Sequence, residues 1–398
     1  MVFAGLYLLR LFTIGQVDLP EGAQISLVAR VTQQPYLKAS KQIISLGQFL
    51  VVTERYPEYF YGQKLRVVGK LSKKVTNSLQ TNFTLYYPAI QVVEEEESLI
   101  NQRQIRVILF RARQSVERLF SRLLPEPQAS LLAGVVLGVK REMPENFLNN
   151  LRKTGTIHII VASGYNLTVV AGLLIAVLAG RLRRQLALVV AFLGILAYTL
   201  MVGAEPPVVR AFLMASLTFL AQFLGREKEA RLALAFSAML MLLISPLILF
   251  DIGFQLSFLA TAGILFLSSR WRGKFWQLPL VGENFRTSLA AQLGVMPVLL
   301  LNFGSISFLS PLINALVLPV IPLAMILGGL TVVLGWLPFL AQILARLAWV
   351  PLTYLVKVVD WFASLPLASF TLERLPYYWV VGYYLVIILW CLRTEKRS

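Results

Sequence analysis

From residue 157 onward the chain is a succession of apolar stretches, each close to the roughly 20 residues that an α-helix needs to cross a bilayer core. They run approximately over 157–180, 185–203, 207–224, 232–250, 254–269, 284–302, 312–335, 338–360 and 377–392. Inside lipid the backbone must satisfy its own polar groups, so such a series folds as a bundle of helices. Hydrophobic residues make up 57% of the chain and charged residues 14%, where a soluble domain carries about a quarter charged residues. The expectation is a polytopic α-helical membrane protein with about nine spans after residue 157. Pro319, Pro322 and Pro351 fall in the seventh and eighth stretches, so one of these is expected to be broken or re-entrant.

The linkers set the orientation. Arg181, Arg183 and Arg184 follow the first stretch, Arg226, Lys228 and Arg231 the third, and Arg270, Arg272 and Lys274 the fifth. Arg393, Lys396 and Arg397 end the chain. Alternating spans bring all these clusters to one side, which the positive-inside rule makes cytoplasmic. The opposite ends carry Glu205, Asp251 and the Asn302-Phe-Gly-Ser turn. The expected location is the cytoplasmic membrane, with multiple passes. This retention of positive charge accounts for much of the +17 net charge, although a polyanionic partner would also suit it.

The part before residue 157 has a different texture. Residues 2–15 are apolar around Arg10 and too short for an ordinary span, so 1–19 is read as a short membrane anchor. Over 20–98 the pattern alternates with period two. Ile25, Leu27, Ala29 and Val31 alternate with Ser26, Val28 and Arg30, and Leu65, Val67, Gly69 and Leu71 with Lys64, Arg66, Val68 and Lys70. Further runs at 41–54 and 83–93 bring the total to four or five short strands, for which a small OB-like β-barrel outside the cytoplasm is the expected fold. Lys64, Arg66, Lys70, Lys73 and Lys74, with Tyr59, Phe60 and Tyr61 nearby, would suit single-stranded nucleic acid, which binds through charge and stacking. A solvated basic face over ordinary barrel aromatics is the plainer alternative.

Residues 99–156 form a connecting region. After the acidic run Glu94–Glu97, Ile105, Ile108, Leu109, Ala112, Val116, Leu119 and Leu123 share one helical face, with Arg103, Arg106, Arg111, Arg113, Arg118 and Arg122 off it. A basic amphipathic helix of this kind suits a membrane surface and its lipid. Pro125 ends it. The apolar stretch 131–139 is too short to span, and Gly134 and Gly138 suit close helix contact.

Three polar clusters interrupt the spans, all at their outer ends. The first holds His158, Ser163, Gly164, Tyr165 and Asn166; His158 is the chain's one histidine. In the second, Pro206 and Pro207 make a turn and Arg210 enters a helix. In the third, Asp251, Gln255 and Ser257 stand at the head of a span. Ionisable residues at such depth are costly and either pair or line a pathway. An Arg210–Asp251 salt bridge and a lined aqueous entrance are the two readings. Hydrolysis is disfavoured, because the spacing of His158 and Ser163 does not put them on one helical face and no carboxylate near in sequence orients the imidazole. No metal cluster, nucleotide motif or cofactor site is evident, and no enzymatic activity is expected. Cys391 is the one cysteine and is read as a packing or lipid-facing residue.

These clusters resemble the motifs of the ComEC family of competence proteins. Gly155-Thr-Ile-His-Ile-Ile-Val-Ala-Ser-Gly-Tyr-Asn-Leu167 resembles the family's Gly-x-x-His-Leu-Leu-Ala-x-Ser-Gly-Leu-His-Val, and Asp251-Ile-Gly-Phe-Gln-Leu-Ser-Phe258 its Asp-x-Gly-Phe-x-Leu-Ser-Phe. Gly203 to Ala211 is similar to its Gly-x-x-x-Ser-x-x-Arg-Ala turn, and Asn314 to Val320 to its Asn-x-x-x-x-Pro segment. The resemblance implies a channel over 157–398 that passes single-stranded DNA across the cytoplasmic membrane in natural transformation. His158, Ser163, Gly164, Tyr165, Asn166, Arg210, Asp251, Gln255 and Asn314 would line the path. The sequence departs from the family in Tyr165-Asn166, where Leu-His is usual, and in Pro207, where Ser is usual. It also has no His-x-His-x-Asp-His motif of the nuclease-like domain that many relatives carry. A cytosolic ATP-driven motor, a DNA receptor and a nuclease would then come from other chains. The competing reading is a small-solute or lipid-precursor transporter with an external accessory barrel.

Overall fold

The computed structural model describes residues 22–31, 35–38, 41–46, 49–57, 59, 63–77, 80–93, 100–138, 143–160, 163–204, 206–225, 229–271, 282–366, 368–372 and 377–395. The expected 1–19 anchor and the Glu94–Glu97 run lie outside these residues, as do Arg226, Lys228, Arg272, Lys274, Lys396 and Arg397. The chain divides into two compact units, one drawn from residues 8–118 and the other from 119–139 and 143–398.

The first unit is a curled seven-stranded sheet. Its strands are β1 (Gln24–Arg30), β2 (Tyr36–Lys38), β3 (Lys41–Leu46), β4 (Phe49–Glu54), β5 (Lys64–Asn77), β6 (Gln80–Tyr86) and β7 (Ala89–Val92). Their order is β1-β5-β6-β4-β3-β2, with β7 also on β5. All pairings are antiparallel except β4 with β6. The curl comes from β5, 14 residues long. Its first half lies between β1 and β7, and its second half pairs with β6. The period-two reading holds along it: Leu65, Val67 and Leu71 are buried while Arg66 and Lys70 face out.

Two of the expected runs each divide in two. Residues 41–54 form a hairpin in which Leu46 pairs with Phe49. Residues 83–93 break at Tyr87, whose φ is 47°, and at Pro88, which has no ladder donor. The core holds Val31, Ile44, Val51, Leu65, Val67 and Leu85, with Phe49 stacked on Phe83 at 5.5 Å.

A 24-residue helix, α1 (Ile100–Leu123), follows, with Arg113 and Glu117 one turn apart at 3.8 Å. The second unit continues with α2 (Gln128–Leu137), α3 (Glu145–Lys153) and a 3-10 turn over Ile157–Ile159. The long helices are α4 (Gly164–Leu178), α5 (Arg184–Val202), α6 (Pro206–Phe223), α7 (Ala230–Ile244), α8 (Ile252–Leu267) and α9 (Gly282–Phe303). Then come β8 (Ser305–Ile306), α10 (Ser310–Val317), α11 (Ile321–Val333), α12 (Pro338–Ala363), β9 (Phe370–Thr371) and α13 (Tyr377–Glu395). Among the described residues five helical stretches are long and apolar enough to cross a membrane: Arg184–Val202, Pro206–Phe223, Ile252–Arg270, Ser310–Val333 and Pro338–Ala363. By this measure the chain is a membrane protein. The helices α4, α7 and the apolar part of α13 are shorter, and α9 carries Glu283, Arg286, Gln292 and Asn302.

The first apolar stretch is helical only from Gly164, because the chain turns at Gly155 (φ 69°) and Ser163 caps a new start. In the seventh, the expected interruption is a 3-10 turn over Leu318–Val320 between α10 and α11. The small helix α2 is buried on every side chain except Val136. A Cβ at Gly328 of α11 would strike its Leu132, and one at Gly134 would strike the Ile160 carbonyl. Gly263 of α8 and Gly294 of α9 touch through their backbones, the small-residue contact that lets membrane helices approach closely. Three residues after Gly294, Pro297 removes the N–H that the Leu293 carbonyl would accept from, and the Tyr383 hydroxyl of α13 donates to that carbonyl at 2.8 Å.

Candidate functional site

The heads of α4, α6 and α8, the three polar clusters of the sequence, meet at Arg210. This side chain is 9% exposed. Its Nε donates to Ser257 Oγ on α8 at 2.5 Å, its Nη1 lies 3.3 Å from Met214 Sδ, and the guanidinium stands 5.9 Å from the Phe258 ring centroid. A Cβ at Gly164, the first residue of α4, would lie 2.8 Å from Nη2 and 3.1 Å from Ala211 Cβ. Glycine there is what lets the head of α4 rest on the cation. At Gly253 a Cβ would meet Asp251 Oδ1 at 3.0 Å, so glycine leaves room for the capping carboxylate of α8.

The Arg210–Asp251 salt bridge is absent. Asp251 is the N-cap of α8 and accepts from the Phe254 backbone N–H at 2.8 Å. A carboxylate in that role satisfies a helix-end donor and is turned along its own helix. Among the described residues Arg210 has no carboxylate partner. Gln255 donates to the Leu249 carbonyl at 2.9 Å, away from the guanidinium.

Ser163 and Asn166 are structural at this head. The Ser163 hydroxyl accepts the Asn166 N–H at 3.3 Å and donates to Asn166 Oδ1 at 3.0 Å, while Asn166 Nδ2 donates to the Val135 carbonyl of α2 at 2.9 Å. Tyr165 is half exposed and donates to the Leu318 carbonyl at 3.3 Å. Pro322, four residues on, cannot supply that carbonyl with its helical donor.

A second polar group lies around Gly155. His158 is exposed, and its Nδ1 is 3.1 Å from the Gly155 carbonyl oxygen. A Cβ at Gly155 would meet Ser310 Oγ at 3.1 Å and Ser307 Cβ at 3.3 Å. Asn314 Nδ2 reaches Ser310 Oγ at 3.5 Å, and Gln292 donates to the Ser307 carbonyl at 2.7 Å. Asn314 Oδ1 and Ser307 Oγ are buried without a hydrogen-bond partner. His158 and Asn314 therefore belong to this second group and make no hydrogen bond to Arg210 among those described. Ser307, Ser310 and Gln292 were missed in the sequence, because single Ser and Gln residues between apolar spans carry no periodic signal.

The description "Competence protein" matches residues 135–397. The chain belongs to the competence protein family. Its relatives include ComE operon protein 3 of Bacillus subtilis, 28% identical over 213 residues, which is 53% of this chain and 27% of that protein. The uncharacterized protein YcaI of Escherichia coli is 26% identical over 211 residues, 50% of this chain and 28% of the relative. An uncharacterized protein of Aquifex aeolicus is 31% identical over 183 residues, 46% of this chain and 41% of the relative. The matched region thus spans well under half the length of these curated relatives. No solved structure matches the chain.

In this competence-family chain the expected DNA-binding residues of the sheet are spread along β5. Arg66 and Lys70 are exposed and Lys64 is half-buried, opposite Val28, Gln24 and Arg30 of β1. The side chains of Lys73 and Lys74, and all of Phe60 and Tyr61, lie outside the described residues. Tyr59 is not a stacking platform: it is 8% exposed in the sheet core, where burial pushes its phenol pKa up. Among the described residues of the sheet unit the exposed tyrosines are Tyr56, Tyr86 and Tyr87, none of which the alternating pattern marks.

Proposed function

We propose that this chain forms a path for single-stranded DNA across the cytoplasmic membrane during natural transformation. The observation that carries the reading is Arg210, a buried cation at the meeting of three family motifs with one hydroxyl and, among the described residues, no carboxylate for company. An uncompensated charge in a bundle is costly. Its presence is accounted for when the missing anion is the phosphodiester backbone of the strand in transit. Asp251 would repel that backbone, and its place as a helix cap fits a positioning role. His158, Ser163, Gly164, Tyr165, Asn166, Gln255 and Asn314 stand around or beside the same helix heads and would shape the path.

On this reading all nine apolar stretches cross the membrane, with the Arg-rich linkers cytoplasmic. The domains are the anchor at 1–19, an OB-like barrel at 20–98, the connecting region at 99–156 and the channel at 157–398. The strand order supports the barrel. β1 and β2 stand at opposite ends of the sheet order, the arrangement expected of a sheet that curls toward a small barrel. The basic residues of β5 would guide the strand, and motor, receptor and nuclease would be separate proteins.

The test is entry of labelled DNA into competent cells carrying Arg210→Met. Replacing a buried charge by an apolar side chain of similar length is often neutral or stabilising. The variant is therefore expected at wild-type abundance, with DNA entry reduced at least about tenfold, the equivalent of 1.4 kcal/mol at the crossing step. Normal entry at normal abundance would remove Arg210 from the path.

A further inference from the structure

The corner of the sheet where β3, β4 and β6 end gathers aromatic rings and cations on its surface. Tyr56 is 66% exposed, Tyr86 55% and Tyr87 52%. The Lys41 ammonium stands 5.3 Å from the centroid of the Tyr87 ring, and the Arg55 guanidinium 5.6 Å from that of Tyr56. Pairing holds these residues together. Tyr86 lies opposite Val52, Lys41 lies opposite Glu54, and the Tyr87 N–H donates to the Val52 carbonyl at 2.8 Å. Tyr87 itself has φ 47°, a left-handed backbone that a bulky L residue rarely adopts. That turn puts two successive tyrosine rings outside the core, where a continuing strand would point one of them inward.

Exposed apolar residues scattered singly need no explanation. Three tyrosines in one corner, two of them carrying a cation on the ring, do. Rings of this kind serve a partner that presents flat π-faces and negative charge together, and unpaired nucleic acid presents both. The positive charge at the corner comes from Lys41 and Arg55, beside which Glu54 stands opposite Lys41. We infer that Tyr56, Tyr86 and Tyr87, with Lys41 and Arg55, form a base-stacking site for single-stranded DNA. The site is distinct from the basic outer face of β5, which would track phosphates only. That the strand is DNA rests on the uptake reading above; the stacking chemistry does not.

The experiment uses the full chain in lipid nanodiscs and two fluorescent strands of equal length, oligothymidylate and its abasic counterpart. Tyr56→Ala and Tyr87→Ala are each expected to weaken oligothymidylate binding about fivefold or more, the loss of one stacked base, and to leave the abasic strand unaffected. Tyr87→Phe should bind as wild type, because the ring is kept. Lys41→Ala with Arg55→Ala should weaken both strands and flatten the salt dependence. A strand containing 5-iodouracil should crosslink on irradiation to Tyr56, Tyr86 or Tyr87 in the unaltered protein. Undetectable binding, equal losses on both strands, or crosslinks confined to other residues would overturn the site. Stacking with DNA entry unaffected by Arg210→Met would sink the path and leave the site standing. Loss of entry without stacking would do the reverse.

Discussion

In α9 the Leu293 carbonyl loses its helical donor to Pro297 and receives the Tyr383 hydroxyl from α13, whereas the Arg210 guanidinium in α6 receives one serine hydroxyl and a methionine sulfur. Both are polar groups in helices meant for lipid. The first is answered in full by a residue from another helix, as a packed bundle requires. The second is a full charge whose partners among the described residues are neutral, although Asp251 heads the neighbouring helix and is committed to capping it. A bundle that can bring a hydroxyl to one freed carbonyl can bring a carboxylate to an arginine. On the proposed reading, the lack of such a carboxylate among the described residues separates a structural polar group from a functional one.

The comparison breaks most sharply if the missing carboxylate is supplied. Ser257→Asp would place an acid where Ser257 Oγ now stands, 2.5 Å from Arg210 Nε. Charge-assisted hydrogen bonds of this kind are about twice as strong as neutral ones, so the folded protein should be retained. A path that uses the free cation should then close, with DNA entry down at least about tenfold. Entry at the wild-type level with the pair formed would mean that Arg210 is a packing residue.

A smaller effect is expected at the answered carbonyl. Tyr383→Phe removes the donor to Leu293 and should lower stability by about 1 to 3 kcal/mol, the cost of an unsatisfied buried acceptor. Pro297→Ala restores the backbone N–H, so in that background Tyr383→Phe should cost much less. Thermal unfolding of the four proteins in detergent measures this coupling. Equal costs in both backgrounds would dissolve the contrast with Arg210.

The apolar stretches were legible because length and hydropathy are local properties, and helices lie in each of them, although that of 232–250 ends at Ile244 before a 3-10 turn. The start of α4 was not, because Gly155 and Ser163 break the stretch through a turn and a cap whose partners lie on other segments. The runs over 25–31 and 64–71 were legible as alternation, while the division of 41–54 between Leu46 and Phe49 and of 83–93 at Tyr87 and Pro88 was not. At the site, the motifs identified the residues but not their pairing. Arg210 and Asp251 have opposite charge, which makes a bridge the simplest expectation; the N-cap geometry of Asp251 overrides it. Tyr59 was taken with its aromatic neighbours, yet Gln42 fixes its backbone over the core by a 3.2 Å hydrogen bond to its carbonyl.

The least disruptive change lies at Tyr165, where this chain has tyrosine and the family pattern has leucine. Its hydroxyl reaches the carbonyl that Pro322 leaves without a donor, but at 3.3 Å and from a half-exposed ring, so it resembles the Tyr383 arrangement in weaker form. Tyr165→Phe should cost about 0.5 kcal/mol, the lower end for a single hydrogen bond, and should be neutral when Pro322→Ala restores the donor. DNA entry separates the two roles open to this residue. If Tyr165 only answers a carbonyl, Tyr165→Phe and Tyr165→Leu should both sustain entry near the wild-type level. If its ring lines the path, phenylalanine should sustain entry and leucine should not, with folded protein present in both. The second outcome would extend the functional set from Arg210 to the adjacent turn of α4, since Gly164 already rests against the guanidinium. The first would place Tyr165 with Tyr383 among the residues that let proline sit inside membrane helices.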